Sequence, residues 1–426
     1  MVALLAEGFR EDVLWHDAVD EPAATGAPPP ASSDVVVVGG GYCGLAAGAR
    51  LAALGRSVAV LDRGPLGWGA STRNGGMVIP ELKAGPRTLE RRHGPLGLRL
   101  HAEVEAAFDH VEQLAGAGGI ACDYRRSGQL LVTHGPRGAR ALEDLAGEHA
   151  SVGSAARVVA GDELEAEVGS SAFAAGLLVE RTGSLHPARF HAGLQDRAAA
   201  AGASLHPHTE VTAVERSGSG WRVATGAGEV SAGEVLLATN AHADGVHPQL
   251  RRRVLPMGSF IIATEPLAPS LAGTVLPTRR MAFNDRNLLW YWRLGPDDRL
   301  LFGGRRRLGR VSLAEARDHL YASMLAVHPQ LEGVRVERAW GGEVALTLDR
   351  LPHCGRLDGV WYATGCNGSG VALSTWMGHR MAEALCGGDL PPFAELPHRP
   401  IPLHVARRAW LPLVGAWFAH QDARRG

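Results

Sequence analysis

The stretch Val35-Val36-Val37-Val38-Gly39-Gly40-Gly41-Tyr42-Cys43-Gly44-Leu45-Ala46-Ala47-Gly48 decides the fold. Four β-branched residues in a row suit a strand buried on both faces, as in a parallel sheet. Gly39-Gly40-Gly41 then turns the chain, and Tyr42 to Leu54 reads as an Ala/Leu helix stopped by Gly55. Ser57 to Asp62 is a second strand, so the opening is a strand-helix-strand unit. Within it, Gly39-x-Gly41-x-x-Gly44 has the context a dinucleotide fingerprint requires, after a strand and opening a helix. Gly39 allows the tight turn and Gly41 leaves room for a pyrophosphate against the backbone. Gly44, helped by Gly48, lets the helix lie close to the strand. The helix N-terminus offers unpaired N–H groups and a partial positive charge to the diphosphate. Asp62, 18 residues after Gly44, stands where a carboxylate accepts hydrogen bonds from the adenosine ribose, and its charge opposes the 2′-phosphate of NADP.

Two further segments choose between NAD and FAD. Gly67 to Gly76 follows the second strand as a loop of small residues, where NAD enzymes usually start a helix. A late strand-turn-helix, Val360 to Leu385, presents Gly365, Gly368, Ser369 and Gly370 at a second helix N-terminus. Such a terminus stabilises the negative charge that a reduced flavin carries at N1 and O2.

Outward from these motifs, 426 residues suit two interleaved domains rather than one. A net charge of −1 supplies no global field for nucleic acid or an anionic membrane, so Arg251-Arg252-Arg253 and Arg305-Arg306-Arg307 read as local features. Five scattered cysteines without a CxxC pair argue against a disulfide framework and a zinc site. No signal-peptide core or long apolar run occurs, so a soluble, cytoplasmic protein without nucleic-acid or membrane partners is expected.

Periodicity predicts one long helical stretch over 85–118, strand material over 123–134 and helices over 137–150 and 187–201. Short strands fill 204–239, with a hairpin at Ser217-Gly218-Ser219-Gly220. Strands at 259–264, 288–294 and 299–302 precede a helix at 313–327. Residues 1–33 read as an N-terminal extension with a Pro/Ala/Gly-rich lead-in, and the apolar tail 409–419 as packing back onto the body.

The segments VVVVGGGYCGLAAGARLA, GWGASTRNGGMV, VLLATNAHA, LDRLPHCGRL and YATGCNGSGVALSTWMG, in that order, resemble the D-amino acid oxidase-like FAD oxidoreductases. Within them the chain is most similar to gamma-glutamylputrescine oxidase-type enzymes. The resemblance implies an α/β fold: a Rossmann-like FAD domain of glutathione-reductase-like topology, from 34–84, 150–243 and 341–395. A mixed-sheet α+β substrate domain would come from 85–149 and 244–340, with a tail over 396–426. It implies FAD contacts at Gly39, Gly41, Gly44, Asp62 and Arg63, and along Ala70, Ser71, Thr72, Arg73, Asn74, Gly75, Gly76 and Met77. Val211, Thr239 and the second turn, through Gly365, Gly368, Ser369, Gly370 and Val371, would complete them. The implied reaction is oxidation of a C–N bond of an amine or amino acid to an imine, by hydride transfer to flavin N5. Dioxygen or another acceptor would reoxidise the flavin. No His follows the glycine loop and Gly342 stands at the cysteinyl-link position, so FAD is expected to be noncovalent. The strand Leu300-Leu301-Phe302-Gly303 lacks the oxygen-activating lysine of sarcosine oxidase-type relatives.

Among candidate catalytic residues, Lys83 is the single lysine in 43 basic residues and lies seven residues past Gly76. A compact ammonium there can hold a water or promote dioxygen reduction; a spared surface lysine is the competing reading. Arg73 is a flavin or substrate contact or else half of an ion pair. Arg293 and Arg305 can grip a substrate carboxylate bidentately, against the alternative of solvated surface charges. Tyr291 and Trp292 point to opposite faces of a strand, one toward the flavin and one toward the core. Cys43 and Cys366 read as small apolar residues, and His353 as a structural histidine. Two other functions share the scaffold: an NAD(P)H-driven monooxygenase, for which a second glycine fingerprint is missing, and a biosynthetic flavoprotein.

Overall fold

The computed structural model describes residues 4–19, 28–116, 119–243 and 245–424. The Val35–Val38 run is central because parallel partners flank it on both edges. Ser32–Val38 pairs with Val58–Leu61 on one side and with Gly228–Leu237 on the other. Ser204–His206 extends the first edge, and Val360–Thr364 pairs in parallel with the Leu236–Leu237 end of the second. The hairpin at Ser217–Gly220 joins Val211–Ser217 to Gly220–Thr225, and His353–Leu357 lies against Val360–Thr364. Among the described residues this sheet has eight strands.

Helices Tyr42–Ala53, Pro95–Ala115, Pro187–Ala200 and Gly370–Leu385 bury one apolar core on this sheet, with Leu45, Phe108, Phe190 and Met381 at its centre. The first and last of these helices touch where Gly378 meets the Cys43 backbone, a contact that any Cβ would block. The long helix expected over 85–118 is two helices, Pro86–His93 and Pro95–Ala115, and its last residues, 117–118, fall outside those described. Gly94 at φ +60 breaks it, because that backbone suits glycine and Pro95 then starts the next helix without an N–H to satisfy.

A second sheet has nine strands among the described residues, in the order 5–10, 336–346, 255–264, 300–304, 290–294, 281–284, 129–133, 175–179 and 156–160. Its core holds Trp292 stacked between Phe173 and Phe302, at ring-centre distances of 5.7 and 5.6 Å, with Leu320 and Met324 of the helix Leu313–Val327 over it. The two-layer result is the Rossmann-like sheet with an interleaved mixed sheet that the motifs imply.

Several segments sit elsewhere than the expected boundaries put them. Leu5–Arg10, set apart as an extension, joins the nine-stranded sheet in parallel with Val336–Leu346. Its lead-in lies partly, at 20–27, outside the described residues. The strands Ala156–Ala160 and Ala175–Val179 also belong to the nine-stranded sheet, and Val336–Leu346 runs straight across the boundary drawn at 340/341. The helices of 86–115 pack instead on the dinucleotide side, through Leu89, Leu100 and Phe108. Strand pairing is set by non-local partners that sequence periodicity cannot name.

Candidate functional site

Two chambers sharing Tyr42, Ala70, Ser71, Asn240, Glu343 and Ser374 run between the sheets. The smaller, of about 110 Å³, lies over the first glycine turn, and the larger, of about 590 Å³, over the second.

Gly39, Gly41, Asp62, Arg63, Val211 and Thr239 line the smaller chamber. A Cβ on Gly39 (φ +110) would stand 2.8 Å from the Ala238 carbonyl oxygen, and one on Gly41 2.8 Å from Ser71 Oγ. Gly44 is not in the wall; it packs on the Gly39 carbonyl and holds the helix against the turn. Asp62 accepts from Gly40 N at 2.6 Å, from Gly64 N at 3.0 Å and from Trp68 Nε1 at 2.6 Å. Burial pushes its carboxyl pKa up, and these donors pull the other way. The Arg63 guanidinium lies 4.6 Å over the Trp68 ring. Thr239 Oγ1 is buried with no hydrogen-bond partner among the described residues. An unsatisfied buried hydroxyl is costly, so a ligand with acceptor atoms belongs beside it. That hydroxyl, the cleared glycine turn and the acid of the second strand fit a flavin adenine dinucleotide.

The loop after the second strand folds on Asn74. Its Nδ2 donates to Ala70 O at 3.1 Å and Ser71 O at 2.9 Å, and its Oδ1 accepts from Gly76 N at 2.8 Å. Ser71 Oγ accepts from Tyr42 N at 3.0 Å, tying the loop to the helix start. Ala70, Ser71, Arg73, Asn74, Gly75 and Met77 thereby line the larger chamber. Arg73 Nε donates to Trp68 O at 2.6 Å, and burial lowers its pKa. Thr72 and Gly76 turn away from it. Thr72 Oγ1 donates to Gly67 O at 2.8 Å and lies 2.9 Å from His16 Nε2, while Gly76 O accepts from Leu185 N.

Gly368, Ser369, Gly370 and Val371 of the second turn line the same chamber. Gly365 lies behind it, where its φ of +78 turns the chain and a Cβ would strike Thr347. Asn240, itself at φ +47, accepts from Gly365 N at 3.1 Å and so fixes the turn. The sequence reading did not single out Asn240; its place right after a buried strand was the signal.

Lys83 lines the larger chamber, and its Nζ is 4.0 Å from where a Cβ on Gly368 would stand. It has no salt bridge among the described residues. Lys83 is exposed, yet the groups around it desolvate the ammonium and lower its pKa, against the pull of Glu81. The Glu81 carboxyl is pushed up to about 7 by burial, which Lys83 and a hydrogen bond from Gln129 oppose. Tyr291 faces the chamber, its hydroxyl 3.3 Å from Ser259 Oγ and its ring packed on Gly303 and Gly75, while Trp292 faces the core. Arg305 also reaches the chamber, with Nε donating to Gly258 O at 3.1 Å, and Arg350 joins it there. Asp285 and Arg286, which the sequence did not flag, form part of the wall. Cys366 lines it too, whereas His353 stacks on His398 at 4.1 Å and meets Asp349 at 3.0 Å outside it.

Arg293 does not take the carboxylate-gripping place expected of it. It lies outside the chamber wall, 4% exposed, with Nε donating to Gly75 O at 2.5 Å, a terminal N–H to Leu185 O at 2.9 Å and another to Leu294 O at 3.2 Å. Its guanidinium also sits 5.2 Å over the Trp15 ring, and Trp15 Nε1 donates to Asn74 O at 2.9 Å. Backbone carbonyls consume the fork that a carboxylate would need, so Arg293 clamps the glycine loop from beneath. Arg293→Leu strands these acceptors and is expected to cost roughly 3 kcal/mol, read as a lower melting temperature with and without added FAD. An unchanged melting curve would show that the clamp bears no load.

The profile of the DAO family, described as FAD dependent oxidoreductase, matches residues 34–384. The chain belongs to that family. As a DAO-family member it is an FAD-dependent oxidoreductase. It is 32% identical over 396 residues to gamma-glutamylputrescine oxidoreductase of Escherichia coli (strain K12), covering 91% of this chain and 92% of that protein. It is 26% identical over 374 residues to glycine oxidase of Geobacillus kaustophilus (strain HTA426), covering 84% and 95%. The crystal structure of glycine oxidase from Geobacillus kaustophilus superposes with a TM-score of 0.73 at 24% identity, over 87% of this chain and all of that one. L-proline dehydrogenase from P. horikoshii gives 0.73 at 19%, over 85% and 96%. At these identities the superpositions speak for the fold.

Proposed function

We propose that this DAO-family enzyme oxidises the C–N bond of an amine or amino acid to an imine that water hydrolyses, with dioxygen or another acceptor taking the electrons. The favoured substrates are a gamma-glutamyl amine or an N-substituted amino acid, in keeping with the gamma-glutamylputrescine oxidoreductase relative. FAD, held noncovalently, supplies the acceptor for the hydride that leaves the carbon next to nitrogen. In this reading the eight-stranded sheet and its helices hold the cofactor, and the nine-stranded sheet covers the substrate.

The chamber of about 590 Å³, bounded by both glycine-rich segments and by Tyr291, Arg305 and Lys83, is the observation that carries the proposal. Its volume lies in the range of small-molecule sites, and the reaction asks for orientation more than for a strong base. Tyr291 supplies an apolar wall beside Gly75 and keeps its phenol protonated, since burial raises its pKa. Lys83 and Arg305 supply positive charge for a carboxylate or for negative charge that develops in the reaction. Arg73 and Asn74 hold the loop that would shape the cofactor's face.

Anaerobic titration of the purified yellow protein with amines and N-alkyl amino acids tests this. Bleaching by an amine is expected, followed by recovery in air or with an added acceptor. Bleaching by NADPH alone would transfer the case to a monooxygenase. Protein that is colourless and takes up no added FAD would overturn the reading.

A further inference from the structure

The expectation that the tail packs onto the body holds for one face only. In the helix Arg407–Ala423, Leu411 packs with Met257, Leu288 and Leu308, and a Cβ on Gly415 would stand 3.1 Å from Leu308 N. Buried Asp422 ties the helix end to the body, accepting from Asn287 N and Leu288 N at 2.9 Å each. The other face of the helix, and the turn that leads into it, have no cover among the described residues. Leu403, Val405, Leu413 and Trp417 are 76%, 83%, 72% and 56% exposed, half of all the exposed large apolar side chains described.

Charge accompanies this apolar surface. No Asp or Glu occurs between Leu396 and Gln421, while Arg399, Arg407 and Arg408 do. Parts of both triple-arginine runs, far apart in sequence, come to the same tail, although Arg305 itself faces the chamber. Arg253 Nε donates to His398 O at 2.9 Å, and Arg252 O accepts from Ile401 N at 2.8 Å. The second run arrives through Leu308 and through Gly309, whose Cβ position is 3.8 Å from Pro412 Cγ. Arg306 and Arg307 share Glu315 at 3.6 and 3.4 Å, one carboxylate for two guanidinium groups, and Arg310 beside them is exposed. A protein of net charge −1 thus sets several of its arginines beside this exposed apolar strip.

We propose that this strip docks on an anionic lipid bilayer, the helix Arg407–Ala423 lying in the interface with Leu413 and Trp417 entering the acyl boundary and the flanking arginines meeting headgroup phosphates. Interfacial helices combine these two features, and Trp is suited to the headgroup level. No helix among the described residues is long and apolar enough to cross a membrane, so the association is peripheral. A polyanion such as RNA would meet the arginines but leave Leu413 and Trp417 in water, and a second copy would set the same arginines against each other.

Co-sedimentation of the FAD-loaded enzyme with phosphatidylcholine vesicles, with and without phosphatidylglycerol, tests the docking. Binding is expected only with phosphatidylglycerol and should weaken with salt. The double variant Leu413→Glu/Trp417→Glu should lower the vesicle-bound fraction by about ten-fold or more, with flavin content and solution turnover unchanged because both side chains lie away from the chamber. Failure to bind phosphatidylglycerol vesicles, or equal binding by the variant, would overturn the proposal. So would a wild-type dimer that the variant dissociates without any vesicle binding, or binding to RNA in place of vesicles.

Discussion

Gly44→Val is expected to purify as a colourless protein that regains FAD poorly and melts early. A side chain at this position runs into the Gly39 carbonyl and presses on Val37 Cγ1 at 3.3 Å. The carbonyl cannot step aside, being backbone of the turn itself, and it is much the nearer of the two. The helix start must therefore move outward, and with it the N–H groups that the proposed site offers to the diphosphate. Overpacking of this kind costs about 3 kcal/mol, roughly a hundred-fold in FAD affinity when the strain falls on the binding turn. Gly48→Ala is the calibrating neighbour. Its added methyl would meet Val60 Cγ2 at 2.9 Å, a side-chain atom that can yield, so a milder loss of stability with FAD retained is expected. A yellow Gly44→Val protein with wild-type affinity would mean that the helix does not set the diphosphate site.

Lys83→Met is expected to slow reoxidation of the amine-reduced enzyme in air by about a hundred-fold, while anaerobic reduction by the same amine changes little. Lys83 places a cation beside Gly368, with no carboxylate within salt-bridge distance among the described residues, in the chamber that both glycine-rich segments bound. One-electron reduction of dioxygen creates an anion, and a nearby ammonium stabilises it. In the proposed reaction Lys83 acts as the protonated form, and desolvation lowers its pKa below the usual lysine value. The wild-type reoxidation rate should therefore fall as pH rises through that lowered pKa, and Lys83→Met should abolish this alkaline limb. Lys83→Arg separates charge from shape, because a planar fork cannot occupy the same point. Stopped-flow traces of the two half-reactions decide the matter: a large loss in the reductive half instead would make Lys83 a substrate contact.

What could be read from the sequence was local. The run Val35–Val38, the glycine turn and the helix behind it fall in register because each is specified by its own few residues. The helix Leu313–Val327 matches its predicted limits because Ser312 and Glu315 form a reciprocal capping box at its start. Alternation put Tyr291 and Trp292 on opposite faces correctly. Arg293 was read as a carboxylate grip or a surface charge, because nothing in the sequence says that the carbonyls of Gly75 and Leu185 are waiting for it. Trp15 was harder still. Nothing near it in sequence indicates that its indole reaches Asn74 O and T-stacks on Trp340 at 6.5 Å. The chamber walls around Glu81, Asp285 and Arg350 come from three separate loops, and only closure of the two sheets brings them together.

The parallel pairing of Leu5–Arg10 with Val336–Leu346 also bears on how the molecule is made. A ribosome releases the first of these strands long before the second exists, so for most of synthesis it is an unpaired edge. Loop closure over so many residues is slow, and the edge meanwhile invites wrong partners. Trp15, which follows that strand, shares its cluster with Ile261, Leu301 and Trp340. The floor under the glycine loop is therefore laid only after translation has passed Trp340. A nascent chain arrested earlier would carry the whole dinucleotide fingerprint and still lack the surface on which its flavin loop rests.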